Sequence, residues 1–393
     1  MSTTAQALTQ NIDASFRPDP ANPQMNTFRN DTPVSGVCAG HMPARCEQLK
    51  IFSIRDDAFK AYSIAPIPAN SADPRQGPMF KMPSDWRRFY VTHSVTGEVE
   101  AVEMRIAGIG ARSDLPSGMS FHTSWVGGQR SWSHPGPPNP CLSTGYVIGT
   151  TRYILWHWIV PQGAGICAVE ASVEIPKFSY QLLEYSYELR TPNPLKMSTG
   201  QYTGSVTYTM GPGQDFDFGD VMIPNDTLYT FNFNLSVQHT LKVEIPPGGN
   251  RVELLPQGGW QAWLNQGRRP TRLFRDQTFN LSASSRFKMN LECQYASGNN
   301  CALWEPNVGH AVPLEVSVTL PGGLTDATGN PVNRRPLRRD GVGTELFQPG
   351  FYVERKPGTL HFEVARDEVE EMIKQNVSRG YSGNVTVIWD SQV

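Results

Sequence analysis

The densest run of side chains able to recognise a ligand is SFHTSWVGGQRSWSHPGPPNP, Ser120 to Pro140. His122, Trp125, Gln129, Arg130, Trp132 and His134 fall within this Gly/Pro-rich loop, just before Cys141. Indole rings stack on the apolar faces of sugars, while amide and guanidinium groups hydrogen-bond hydroxyls or carboxylates. Trp125 and Trp132 fit equally well as core residues that the loop covers, and spacing does not separate the two readings. A smaller polar pair, Arg112 and Asp114, lies in ARSDLPSG, which reads as a turn. His157 stands mid-strand in WHW between apolar runs, the place of a strand-face residue rather than a ligand. Trp260, Trp263 and Trp304 read as core or groove residues.

Signatures of covalent chemistry are missing from the sequence. There is no HExxH, no GxSxG, no P-loop and no dinucleotide fingerprint, since the GIG of Gly108 to Gly110 lacks a third glycine and a following helix. Glu98 and Glu100 would share a strand face, as a glycosidase pair requires, but a solvated face is the simpler account. No enzyme activity is expected, and no cofactor. The six cysteines form three neighbouring sets, Cys38 with Cys46, Cys141 with Cys167, and Cys293 with Cys301. None makes CxxC and no His is interleaved at zinc spacing, so disulfides are expected rather than a metal. Six cysteines allow fifteen pairings; loop closure favours the local ones without choosing among all.

The elements that must position these residues are strands. With 35 Gly and 32 Pro spread among Val, Thr, Tyr and Trp over 393 residues, the chain reads as all-β, many short strands between turns. Its length exceeds one ordinary core, and two domains are expected. A net charge of −2 leaves no electrostatic footprint for nucleic acid, and no polybasic run marks a membrane surface. No stretch reaches the roughly 18 apolar residues of a spanning helix. MSTTAQALTQ has neither a basic nor an apolar region of a signal peptide, so a secreted form would have its leader outside the numbered chain.

Residues 1–190 carry short turn-bounded β segments, and ELRTPNPLKMSTG reads as a linker over residues 191–199. A second strand series, residues 200–393, begins with YTGSVTYTM at Tyr202. Tyr229, Phe231, Phe233, Leu235 and Val237 recur at period two, as in a half-buried antiparallel strand. Residues 365–375 predict one short helix, with Asp367 and Glu368 in its first turn and Val369, Met372 and Ile373 on one face. The chain then ends on YSGNVTVIWDSQV, whose opening echoes the Tyr202 segment. Gly383, Val385, Val387 and Trp389 project to one face of that strand; Asn384, Thr386, Ile388 and Asp390 project to the other.

The opening YTGSVTYTMGPGQDFDFGD, the closing alternating strand and the two-domain layout resemble the tip adhesins of chaperone–usher fimbriae, most specifically in the last 190 or so residues. The start, NIDASFRPDPANPQMNTFRNDTPVSGVC, also has the look of such a protein. The resemblance implies two β-sandwich domains, an N-terminal lectin-like receptor-binding domain and a C-terminal immunoglobulin-like pilin domain lacking its last strand. A periplasmic chaperone would fill that gap, and the donor strand of the next pilus subunit would replace it after passage through an outer-membrane usher. Val385, Val387 and Trp389 would form the zipper, and Val393 would supply the terminal carboxylate that the chaperone holds. Location would be extracellular, at the pilus tip, by way of the periplasm, with a host or surface receptor, expected to be a glycan. Gln392 stands where pilins often carry Tyr, and Gly383 lies nearer the end than is usual. Two rival readings are a secreted carbohydrate-active enzyme with β-sandwich domains and a structural pilus initiator that binds no receptor.

Overall fold

The computed structural model describes residues 8–132, 139–374 and 380–391. They form two compact units, one of residues 1–15, 29–192 and 200–236, the other of residues 16–28, 193–199 and 237–393. Both are built from strands, as the composition requires.

The principal strands of the first unit are β1 (Leu8–Phe16), β2 (Arg87–His93), β3 (Val99–Asp114), β4 (Leu142–Gly149), β5 (Tyr153–Ile159), β6 (Ser179–Arg190), β7 (Gly200–Thr209) and β8 (Leu228–Val237). Their order in the sheet is β6-β3-β2-β7-β8-β1, with β4 and β5 paired beside β3. β3 is long enough to serve two neighbours on one edge. Residues from Val99 to Met104 pair with β2, and residues from Gly108 to Asp114 pair with β5. Its two glycines sit where His157 of β5 crosses: a Cβ at Gly108 would lie 2.7 Å from His157 Nε2, and one at Gly110 2.8 Å from Nδ1. On the opposite face of β5, Trp156 and Trp158 enter an aromatic core with Phe80, Tyr180 and Trp132.

The division of the chain differs from the expected boundary. β7, expected to open the second domain, pairs Tyr202 with His93 and Thr203 with Thr92 of β2. The period-two strand β8 has the half-buried pattern its sequence predicts, but its aromatic face packs in the first unit, Phe233 on Phe89 and Phe231 on Tyr185. Asn232 donates to Asn11 and Asn234 to Asp13, so β1 and β8 advance together and lie parallel, while Thr207–Thr230 and Gln201–Ser236 contacts run antiparallel to β7. Residues 191–199 are no free linker. Pro194–Lys196 makes a 3₁₀ turn capped by Asn193, and Leu195 and Met197 are buried, with residues 193–199 in the second unit.

The second unit contains β9 (Leu241–Glu244), β10 (Leu273–Ala283), β11 (Lys288–Cys293), β12 (Asn300–Glu305), β13 (His310–Thr319), β14 (Val353–Val364), α1 (Arg366–Lys374) and β15 (Val385–Asp390). One sheet runs β9-β10-β14-β13-β12, and β11 pairs with β15 in a separate two-stranded sheet. The two sheets share one core, in which Phe279, Leu281, Val316 and Val318 meet Phe287, Met289, Leu291 and Phe347. This is sandwich packing, each strand giving alternate residues to the interior. α1 forms where its apolar stripe predicts, burying Val369 and resting Met372 and Ile373 on the core.

All six cysteines are paired with their nearest neighbours: Cys38–Cys46, Cys141–Cys167 and Cys293–Cys301, with Cα separations of 5.7, 5.8 and 5.3 Å. The last joins the end of β11 to β12 and so ties the small sheet to the large one.

Candidate functional site

The terminal strand β15 has one strand neighbour among the described residues, β11, in an antiparallel register that sets Asn290 against Ile388, Leu291 against Val387 and Glu292 against Thr386. The N–H groups of Met289 and Leu291 turn the other way, donating to the carbonyls of Thr344 (3.0 Å) and Arg338 (3.3 Å). In an antiparallel ladder the residues facing a partner alternate. Asn290 and Glu292 therefore carry the bonds to β15, and they meet Ile388 and Thr386. The N–H and C=O groups of Val385, Val387 and Trp389 consequently point away from β11, along an edge with no strand beside it among the described residues.

The side chains of these three residues pack on the core while remaining only partly covered. Trp389 lies against Phe279 and Phe287, with ring centroids 5.1 and 5.7 Å apart. On the other face Thr386 is exposed and Asp390 pairs with Lys288 at 3.1 Å. At the end of the larger sheet β9, paired on one side only among the described residues, lays Leu241 and Val243 half-covered over the same core. The approach to β15 is fixed on β12, where Ser382 and Trp304 exchange backbone bonds of 2.9 and 3.1 Å. A Cβ at Gly383 would come within 2.9 Å of the Ala302 carbonyl, so that close approach needs glycine. Val393 lies outside the described residues.

The receptor-binding candidates of the first unit do not converge. Trp125 and Trp132 are 2% and 0% exposed and pack with Phe121 and Phe178, so they are core residues and not ligand contacts. Burial of rings this large outweighs any use at the surface. Arg112 and Asp114 stand at the end of β3 rather than in a turn. They bond each other at 2.8 Å, with Arg112 stacked 4.3 Å from the Tyr153 ring centroid. The bond to Asp114 raises the Arg112 pKa. His122 and Arg130 are exposed and Gln129 is half-buried; His134 lies outside the described residues. His157 is fully buried and its Nε2 meets Ser186 Oγ at 3.1 Å, so desolvation lowers its pKa to about 4 and it stays neutral.

Sequence reading missed a cleft of about 540 Å³ in the first unit, lined by Lys81, Asp85, Trp86, Arg87, Tyr208 and Gln214 among others. Its walls come from segments about 120 residues apart, the KMPSDWR run and the end of β7, and only the sheet brings them together. The one local signal was an aromatic between charged residues in SDWRR.

No protein-family model matches the chain, and no curated protein matches it. Solved structures do align along almost its whole length. A chaperone–tip adhesin complex of CFA/I fimbriae aligns over 100% of this chain and 99% of its own, with 10% identity and a TM-score of 0.24. The enterotoxigenic E. coli adhesin CfaE, in a mutant form, aligns over 99% and 96%, with 10% identity and a TM-score of 0.25. The CsuC–CsuE chaperone–tip subunit complex of archaic Csu pili from Acinetobacter baumannii aligns over 98% of each chain, with 8% identity and a TM-score of 0.23. Likeness at this level is no argument for function, which has to rest on the chain's own geometry.

Proposed function

We propose that this protein is a fimbrial tip adhesin of the chaperone–usher type, joined to its fibre by accepting a β-strand from a partner. The observation that carries the reading is the edge of β15. Val385, Val387 and Trp389 direct their backbone groups outward and their half-covered side chains onto the core. A partner strand laid along this edge would satisfy the ladder and cover the apolar side chains in one step, each buried CH₂ contributing roughly 0.8 kcal/mol. Left open, the edge would template aggregation.

A periplasmic chaperone would occupy it first, and the donor strand of the next subunit after export through the usher. β1 is committed to the sheet of the first unit, beside β8, which favours a subunit that accepts a strand over one that donates Leu8–Phe16. The first unit then has the receptor-binding role, with a glycan as the receptor class, and the protein acts outside the cell at the pilus tip. The three disulfides suit an oxidising compartment.

The test is hydrogen exchange on the full chain, alone and co-expressed with a periplasmic pilus chaperone. Slowed exchange at the amides of Val385, Val387 and Trp389 in the complex is the expected result. A soluble chain whose exchange at these amides is already slow, and which ignores the chaperone, would end the proposal.

A further inference from the structure

The cleft of about 540 Å³ in the first unit has the size of a small-molecule site. One wall is the segment from Lys81 to Arg87; the other is Tyr208 and the turn that follows β7. That turn is pinned by Asp215, which accepts from the Thr209 N–H at 2.9 Å and from its hydroxyl at 3.0 Å, and which also meets Arg87 at 3.4 Å. The Arg87 guanidinium in turn lies 4.8 Å from the Tyr208 ring centroid. On the first wall Trp86 is held by a bond from its indole N–H to Gln162 (3.2 Å) and by two guanidinium groups over its ring, Arg190 and Arg105, 3.9 and 5.7 Å from the centroid. Arg190 is itself paired with Glu103 at 3.4 Å. Both rings are therefore fixed before any ligand arrives.

Lys81, Asp85 and Gln214 are exposed residues of the cleft lining, and among the described residues their side-chain polar groups have no protein partner, so they face water and are free to meet a ligand. The buried Tyr208 hydroxyl also has no partner. A cation, an anion and an amide offer donors and acceptors together, beside the half-buried Trp86 indole. Hydroxyls that both donate and accept, on a ring with apolar C–H faces, match that set. Charge narrows the class: Lys81 and Arg87 are balanced by Asp85 and Asp215, so an anionic sugar would meet two carboxylates with no surplus of cations.

We infer that this cleft is a subsite for a neutral saccharide, with Trp86 as its stacking platform and Asp85, Lys81 and Gln214 as the hydroxyl-bonding groups. The inference rests on the receptor-binding role proposed for the first unit and places it at residues away from the Ser120–Pro140 loop.

The test uses the full chain on an array of immobilised neutral and sialylated oligosaccharides. Neutral saccharides should be retained. Asp85→Ala and Gln214→Ala should each weaken binding at least tenfold at unchanged melting temperature, and Trp86→Ala should abolish it. His122→Ala and Arg130→Ala should bind as the parent does. Absence of neutral-saccharide binding, retention of sialylated glycans only, or parental affinity in both Asp85→Ala and Gln214→Ala would overturn the assignment. Chaperone protection of the β15 amides, followed on the same preparations, separates failure of this cleft from failure of the adhesin reading.

Discussion

Single residues show how burial overrides chemical suggestion. Trp125 and Trp132 have the side chains of a sugar site, yet each is closed inside an aromatic cluster. Trp132→Ala should lower unfolding free energy by about 3–5 kcal/mol, whereas exposed Arg130→Ala should stay within about 0.5 kcal/mol. Urea titration of the two variants would decide it, and equal effects would place Trp132 nearer the surface than it is. His157 supplies a pH signature. Its pKa is lowered to about 4 in the folded protein by desolvation, below the ordinary value of 6.5, so the unfolded chain binds the proton first. The stability it contributes is complete above about pH 6.5 and is lost as pH falls toward 4, at up to about 1.4 kcal/mol per pH unit. Glu184 works the other way: burial raises its pKa in spite of its pairing with Arg55. The His157 effect is therefore read as a difference, and His157→Asn should flatten the acid side of the urea-midpoint profile relative to the parent.

At the scale of elements, β15 separates two kinds of backbone position. Val387 turns its N–H outward, whereas Ile388 is bonded to β11. Val387→Pro should leave the β11–β15 pair standing, because proline is tolerated on a free edge. It should also weaken capture by the chaperone, since one ladder donor is gone and the ring obstructs the incoming strand. Ile388→Pro should instead cost about 1–3 kcal/mol of stability, because it removes a ladder donor within the chain and leaves the β11 acceptor unpaired. Chaperone pull-down and thermal melting of both variants would test the assignment; the reverse pattern would mean that the opposite edge is the open one.

For the whole molecule, the second unit has a core drawn from residues between Leu241 and Trp389, all of them its own. A strand partner that binds the β15 edge should then raise the melting transition of that unit alone. At a hundredfold excess over its Kd the gain is about 2.7 kcal/mol. Scanning calorimetry with and without the chaperone should show one transition moving and one fixed. A uniform shift of the whole profile would contradict independent cores.

Sequence alone determined what depends on near neighbours and on periodicity. The all-β class, the amphipathic α1, the half-buried alternation of β8, and a preference for local cysteine pairing all follow from spacing within a few residues or a short loop. The shared face of Val385, Val387 and Trp389 was legible from alternation, but which edge of the strand lacks a neighbour was not, because backbone pairing depends on β11, about a hundred residues earlier. Tertiary structure decided everything that depends on partners far away in the chain. Tyr202 joins His93 across more than a hundred residues, so β7 belongs to the first unit although a Pro-rich stretch precedes it. Trp132 is interior because Phe121, Trp156 and Phe178 surround it, and Trp86 lines a cleft because β7 brings Tyr208 opposite. Composition sets which residues can stack or hydrogen-bond. Only the packed sheet decides which of them still face water.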